Sequence, residues 1–275
     1  MKKYIYFLFF LTIIACDRND NKVNDAQDSI LNYKTEKAFE KAKEIFYSLP
    51  SPVETAMIIE STSNQYEGSF LLPTRCVDYY VQSDEQAINL GVFAADLSYV
   101  VMFDRRQETM EYLSACKKMV EELGLVGIID DSVIINLRYN TYNKTEIMNI
   151  ISAQFMDINA YFEENDREIS ATLMIFGGWI EGLYLAVNLI GDSVVNNTEL
   201  AQMIYDQRIS LEDLVSLMEM YKEDKAVSQH LTNVYQIRSI YNKMSTPISQ
   251  ENFLELKLTV KKMRYKFTKE KFIEN

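Results

Sequence analysis

The carboxylate of Glu181 is the strongest candidate for chemistry in this sequence. Between residues 169 and 190 it is the one charged side chain in an otherwise apolar stretch. A buried carboxylate is costly unless it is paired or protonated, and carboxyls with raised pKa values cluster at functional sites. Two interpretations follow. Glu181 contacts a ligand or handles a proton, or it is a structural acid bonded to a tyrosine, an arginine or a backbone amide of a neighbouring helix. We favour the structural interpretation.

Asp96 is the second candidate for a buried acid. It stands between Ala95 and Leu97 in a segment of small and apolar residues. The same two interpretations apply, and the structural one offers Arg105 or Arg106 as the cation that pairs with it. A third structural option is that Asp96 caps a neighbouring helix.

Histidine and cysteine usage excludes several kinds of site. His230 is the single histidine, so neither an HExxH zinc site nor a paired Glu-x-x-His di-iron site can form. A Ser-His-Asp triad would need His230, which we expect at the surface or at a boundary. Cys76 and Cys116 lie outside any CxxC motif. Cys116 is predicted to be a small core residue, and a disulfide between the two remains open. We therefore predict no enzymatic activity, no metal and no cofactor.

The first fifteen residues are predicted to form an export signal. Lys2 and Lys3 precede an apolar run over 4–14, and Ala15-Cys16 follows. Eleven residues reach only about 16 Å as a helix, too short to cross a hydrocarbon core of roughly 30 Å. The Ile-Ile-Ala-Cys ending is typical of a lipobox. It predicts a signal peptide over 1–15 and a lipid on Cys16, which would anchor the mature protein to a membrane.

A polar tether is predicted over residues 16–34, because 17–28 contain almost no apolar side chain. Such a tether spans roughly 25 Å as a coil. The formal net charge of the whole chain is −12, and loss of Lys2 and Lys3 makes it more negative. An acidic protein lacks the basic footprint that nucleic acid requires, so nucleic acid is excluded as a partner.

The remaining residues, 35–275, are predicted to form a single large all-α domain. Eight glycines and four prolines in 275 residues are too few for the turns of a β-rich fold. We expect ten to twelve helices packed as antiparallel hairpins. Start signals are found at Thr35, Ser51, Ser83, Asp130, Asn143, Asn196–Asn197, Ser210 and Ser249.

The apolar stretch over 169–190 is predicted to be a core helix and not a membrane span, because it contains Glu181, three glycines and no flanking cluster of cations. Gly178, Gly182 and Ala186 recur every four residues and form a smooth strip on which a second helix can lie closely. The helix that contains Gly91 is the expected partner, since it is also short of bulky side chains.

The C-terminal helix combines an apolar stripe with a basic face. Its stripe consists of Phe253, Leu256, Val260, Met263 and Phe267, spaced three and four apart. The opposite face is expected to carry Lys257, Lys261, Lys262, Arg264, Lys266, Lys269 and Lys271. This basic face either contacts a protein partner or an anionic surface, or docks on the acidic body of the protein itself.

Three segments resemble a known group as a set. They are Leu49-Pro50-Ser51-Pro52-Val53-Glu54, the run from Asn89 to Tyr99 (NLGVFAADLSY), and the run from Gly177 to Tyr184 (GGWIEGLY). In this order, behind a lipobox, the chain resembles an uncharacterised family of predicted lipoproteins from Bacteroidetes-type bacteria. The resemblance implies a location in the cell envelope and a helical fold, and no activity.

The sequence thus predicts a membrane-anchored envelope lipoprotein, facing the periplasm or exposed at the surface, that binds or scaffolds a partner without catalysis. The alternative is a carrier of a small apolar ligand, whose pocket would lie between helices near Glu181 and the loop over 61–73.

Overall fold

A computed structural model describes residues 40–63, 65–129, 135 and 143–270. Within these ranges the chain is all-helical, with nine α-helices. Residues 40–48 are helical. The helices that follow are α1 (Pro52–Thr62), α2 (Ser83–Met102), α3 (Arg106–Glu122), α4 (Lys144–Glu164), α5 (Glu168–Leu189), α6 (Thr198–Met220), α7 (Lys225–Lys243) and α8 (Gln250–Thr268). Short 3-10 helices lie at Gly68–Phe70, Thr74–Tyr79 and Val194–Asn196. The chain divides into two units, 1–42 and 43–275, and the helices from α1 to α8 all belong to the second.

Several predicted helix starts are confirmed. Each depends on a hydrogen bond between a capping side chain and a backbone amide only three residues further on, which the sequence alone can indicate. At the start of α1 the Ser51 amide donates to Glu54 Oε2 at 2.7 Å, and the Glu54 amide donates to Ser51 Oγ at 3.2 Å. This is a capping box with Pro52 in the first turn. Asn143 caps α4 and Ser249 caps α8 in the same local way. The predicted starts at Thr35 and Asp130 lie outside the described residues.

One predicted start is wrong in position, and one predicted cap is absent. Ser210 lies inside the continuous helix α6, where its hydroxyl bonds back to the carbonyl of Gln207 and accepts the Trp179 indole N–H at 3.0 Å. The sequence pattern at Ser210 is typical of a helix cap, but its hydroxyl belongs to a buried hydrogen-bond network within the helix. Helix α2 begins at Ser83 as predicted, but Ser83 is its first helical residue, and the capping box expected there does not form because Gln82 holds the cap position.

Helices α2 and α5 form the centre of the fold and are buried along nearly their whole length. Helix α5 is long and apolar enough to cross a membrane by length and composition, with a mean hydropathy of 1.4 over its most apolar window. Within the protein, however, 94% of that window is buried. This burial agrees with the prediction that the stretch is a core element, since a helix that is apolar all round needs to be surrounded.

Helices α2 and α5 approach so closely that glycine is required where they cross. A Cβ on Gly91 would lie 1.9 Å from the Met174 carbonyl oxygen, and one on Gly177 would lie 2.0 Å from the Ile88 carbonyl oxygen. The predicted pairing of Gly178 with the Gly91 helix is confirmed, since a Gly178 Cβ would lie 3.3 Å from the Gly91 oxygen. Gly182 instead faces Thr55 of α1, so the smooth strip serves two neighbours.

The other helices surround this central pair. Helix α1 packs on α2 and α5, and α8 packs on α5 and α7. The five residues of the α8 stripe, from Phe253 to Phe267, are buried as the spacing predicted. Consequently α8 lies against the body, and its inner side reaches the acids of the central helices.

Candidate functional site

Glu181 lies at the centre of a buried ion pair with Arg264 of α8. Both side chains are fully inaccessible to solvent. The guanidinium donates from Nε to Glu181 Oε2 at 2.5 Å and from Nη2 to Oε1 at 2.9 Å. Its carbon also lies 4.1 Å from the centre of the Tyr184 ring. The two-pronged contact and the aromatic face together fix the guanidinium in one orientation.

Asp96 of α2 lies beside this pair. Its Oδ2 accepts the Leu72 amide at 3.0 Å, and its carboxyl is within hydrogen-bonding reach of the Glu181 carboxyl. Arg105, one of its two expected partners, is bonded to Glu108 at the surface. The structure therefore brings the two acids predicted from the sequence into one cluster, which we call the acid pair.

The electrostatics of the acid pair follow from burial and from Arg264. Burial raises the pKa of Asp96 well above its ordinary value, and the neighbouring Glu181 raises it further. Burial also raises the pKa of Glu181, while Arg264 opposes that rise. Burial alone would lower the pKa of the Arg264 guanidinium, but Glu181 and Glu270 hold it above its ordinary value.

The segment after α1 closes over the acid pair with its backbone. The Phe70 carbonyl accepts Arg264 Nη2 at 3.3 Å, two residues before the Leu72 amide reaches Asp96. The Leu72 carbonyl in turn accepts the Tyr112 hydroxyl of α3 at 2.9 Å. Leu71 and Leu72 are buried. Part of the predicted loop over 61–73 is helical, at 61–62 and 68–70, and the backbone groups of Phe70 and Leu72 complete the polar cluster. We call residues 67–72 the cover.

Residues just beyond α8 extend the cluster towards solvent. Arg264 Nη1 donates to Glu270, which is partly exposed. The Thr268 carbonyl accepts the Tyr80 hydroxyl at 2.7 Å, and the Phe267 carbonyl accepts the Asn89 amide at 3.1 Å. These bonds fasten the C-terminal end of α8 to the start of α2 and to the helix Thr74–Tyr79.

Arg264 is the residue of this cluster that sequence reasoning assigned wrongly. It was expected on the exposed basic face of α8, yet it is fully buried. One feature of the sequence indicates its burial: Arg264 directly follows Met263 of the apolar stripe, so its side chain lies at the edge of the buried face of α8. Lys257 holds the equivalent flank one heptad earlier and bonds the Gly191 carbonyl at 2.7 Å.

His230 is buried and not at the surface, contrary to the sequence expectation. It is 7% exposed and packs against Phe176 and Phe267, with ring centres 4.9 and 6.2 Å away. Burial, assisted by Lys266, lowers the pKa of His230 to about 4, so the imidazole is neutral. Its Nε2 has no hydrogen-bond partner among the described residues. The polar neighbour Gln229 favoured a surface position in the sequence, although His230 lies on the buried face of α7.

Cys76 and Cys116 are both free and buried. Burial raises the pKa of Cys76 to about 11 and also raises that of Cys116, so both remain protonated thiols. A protonated, buried thiol is a poor nucleophile. Cys116 is the small core residue that the sequence predicted. Cys16, the predicted lipidation site, lies outside the described residues.

Two spaces in the protein bear on ligand binding. An apolar cavity of about 40 Å³ lies between α1, α2, α3 and α4, lined in part by Leu90, Leu97 and Phe155. Glu181 and Asp96 are not among its lining residues. A groove of about 390 Å³ lies at the surface between the start of α6 and the turn before α8, with Val195 and Ile248 on its walls. No cluster of three metal-binding side chains occurs within the described ranges.

Comparison with known proteins gives no further guide. No protein-family model, no curated protein and no solved structure matches this chain.

Proposed function

We propose that the protein is an envelope lipoprotein, carried to the membrane by the signal over 1–15 and anchored there by a lipid on Cys16. The ending Ile13-Ile14-Ala15-Cys16 supports this, as do the basic start and the apolar run of eleven residues before it. Residues 16–34 act as the tether. The domain beyond it, proposed as ten to twelve helices in antiparallel hairpins, faces the periplasm or the outside of the cell.

We further propose that the domain is a non-enzymatic binding or scaffolding protein. The observation that carries this proposal is the outer face of α8. Leu254 and Leu258 are 44% and 53% exposed there, one turn apart. Lys261 and Lys262 continue the same side and are exposed as well. Neither lysine forms a salt bridge to a described residue, whereas Lys257 and Lys269 of this region pair with acids of the body.

An exposed apolar pair beside two lysines that pair with no acid of the described residues suits the acidic surface of a protein partner; Lys261 lies over the face of the Tyr265 ring, at 5.4 Å from its centre. Leucine side chains supply the buried centre of such an interface, and lysines at its rim steer an acidic partner towards it. An anionic membrane is less suited, because the protein as a whole carries a formal net charge of −12 and would be repelled from it.

The alternative function, a carrier of a small apolar ligand in a pocket near Glu181, has weaker support. Ligand pockets typically measure about 300–1,000 Å³. The apolar cavity between α1 and α4 measures about 40 Å³, and Glu181 does not line it. The carboxylate oxygens of Glu181 are already hydrogen-bonded to Arg264 and Asp96, so they are not open to a ligand.

The lipid anchor is tested with Cys16→Ser. We expect the wild-type protein to partition with membranes and detergent, and its mature N-terminal peptide to carry the mass of acyl chains on Cys16. The Cys16→Ser protein should stay in the aqueous phase with an unmodified or uncleaved N-terminus. An N-terminal peptide without lipid in the wild-type protein would refute the anchor, whatever the partition shows.

The binding face is tested by purification from native membranes after crosslinking. Lys261→Glu with Lys262→Glu should lose the acidic partner that the wild type captures. Lys222→Glu with Lys225→Glu is the matched control, because it makes the same charge change at exposed lysines between α6 and α7. Equal capture by all three proteins would contradict the assignment of this face. Loss of binding to vesicles containing anionic lipid, with protein capture unchanged, would instead indicate a membrane contact.

A further inference from the structure

One oxygen of the acid pair is buried without a hydrogen-bond donor, and a proton between the two carboxyls would supply one. Asp96 Oδ1 is buried and has no donor among the described residues. The Asp96 carboxyl neighbours the Glu181 carboxyl at hydrogen-bonding range, and both oxygens of Glu181 already accept from Arg264. Two ionised carboxylates cannot bond to each other, since each offers only acceptors. A contact between them therefore requires one proton.

The hydrogen bonds of the cluster indicate which carboxyl carries that proton. Glu181 receives both prongs of the Arg264 guanidinium, which stabilises its ionised form. Asp96 receives one neutral backbone amide, that of Leu72. The weaker support for a charge on Asp96 makes it the proton donor.

We infer that Asp96 is a protonation site, which holds one proton at neutral pH and donates it from Oδ1 to Glu181, and that this proton keeps the cover over 67–72 closed. With the proton in place, both Asp96 oxygens are bonded, and Arg264 faces two carboxylates, the buried Glu181 and the partly exposed Glu270. Without the proton, Asp96 adds a third carboxylate, buried directly beside Glu181. The cover is the element that can relieve this, because Leu72 binds Asp96 through one backbone bond.

The tyrosines and cysteines around the acid pair stay uncharged near neutrality and cannot replace the proton. Burial raises the pKa of Tyr99 to about 12 and also raises that of Tyr112 and Cys116, which face Asp96. The groups that face the cluster are Glu181 and Tyr184 on α5, Arg264 on α8, Glu270 beyond it, Tyr112 and Cys116 on α3, Tyr99 on α2, and Cys76 and Tyr80 near the helix Thr74–Tyr79. Glu270 is partly exposed and pairs with Arg264 Nη1.

The sign of the pH dependence follows from linkage. The pKa of Asp96 is raised in the folded protein, so folding takes up a proton wherever the unfolded chain has lost it. The contribution of Asp96 to the stability of the folded protein is fully present below about pH 4, the ordinary pKa of an aspartate. From there up to the folded pKa, the ratio of folded to unfolded protein falls about tenfold per pH unit through this group.

Infrared spectroscopy of the full chain detects the proton directly. We expect the carbonyl stretch of a protonated carboxylic acid at pH 7, shifted by ¹³C-labelled aspartate. The band should be absent in Asp96→Asn and retained in Asp104→Asn, the same change at an exposed aspartate. It should also vanish in Glu181→Gln, because Asp96 then ionises against Arg264. A wild-type spectrum without the band, or a band that survives in Glu181→Gln, would overturn the assignment.

Hydrogen exchange tests the role of the proton in holding the cover. In the wild type, the protection factor of the Leu72 amide should fall at least tenfold as pH rises through the loss of the infrared band. In Asp96→Asn the amide oxygen still accepts from Leu72, so protection should stay constant over the same range. A wild-type protection factor that does not change while the band disappears would show that the proton does not hold the cover. Should Asp96→Asn fail to fold, the two wild-type measurements still decide the proposal.

Discussion

Replacing Arg264 by methionine should destabilise the protein by about 3–5 kcal/mol at pH 7. The guanidinium is fully buried and supplies both hydrogen bonds to the Glu181 carboxylate. Removing one partner of a buried pair leaves an uncompensated charge, and that costs roughly this amount. Since small proteins are stable by about 5–15 kcal/mol, the loss is a large part of the total.

Urea unfolding followed by circular dichroism measures this loss, and two further variants isolate its cause. Arg238→Met breaks an equally two-pronged pair with Glu212, but both side chains are exposed, so it should cost about 1 kcal/mol or less. Glu181→Leu combined with Arg264→Met removes both charges. The double variant should recover most of the stability lost by Arg264→Met, because an apolar pair often replaces a buried ion pair at little cost.

The pH dependence of Arg264→Met gives an independent check on the same reasoning. Without its cation, Glu181 should have a folded pKa further above its unfolded value, because burial raises that pKa and Arg264 no longer opposes the rise. Less of its charge then remains unpaired as pH falls. The difference in the free energy of unfolding between wild type and Arg264→Met should therefore shrink as pH falls from 7 towards 4. Equal losses for Arg264→Met and Arg238→Met, or a double variant no more stable than Arg264→Met, would refute the view that an unpaired Glu181 charge causes the damage.

Two other predictions concern the central helices. Gly91→Ala should destabilise by roughly 3 kcal/mol in urea unfolding, because the new Cβ meets the backbone of α5, whereas Gly182→Ala meets the end of the Thr55 side chain and should cost less. Equal costs would indicate that α2 and α5 separate easily. His230→Leu should remove a loss of stability on acidification. The folded pKa of His230 is lowered to about 4, so its contribution is present above about pH 6.5 and falls as pH decreases, by about 2 kcal/mol at pH 5. A wild type and a variant with the same change between pH 7 and pH 5 would contradict this.

Features of the sequence that act over a few residues predicted the structure well. Ser51 and Glu54 satisfy each other across three residues, and the stripe from Phe253 to Phe267 needs only a helix to align it. The acids were found by the same kind of argument, since a single charge in an apolar stretch must be buried when the stretch is. These inferences require no knowledge of which helices become neighbours.

The remaining features depend on contacts between distant parts of the chain. Arg264 and Glu181 are 83 residues apart, and a cation at the flank of a stripe is equally compatible with solvent or with a buried acid. Ser210 resembled a cap because its partner, the Trp179 indole, lies on another helix. His230 resembled a surface residue for a related reason: the aromatic rings that bury it come from α5 and α8.

The attachment of α8 also sets the order in which the chain can complete its fold. Glu181 and Asp96 emerge during synthesis well before Arg264, and the bonds from Tyr80 and Asn89 to the end of α8 span 188 and 178 residues. Until residues 264–268 are available, the central helices hold an acid without its cation and an uncovered apolar side. A partly made chain therefore cannot close its core. This delay would suit the export proposed above, because a chain that stays open can still be threaded across a membrane.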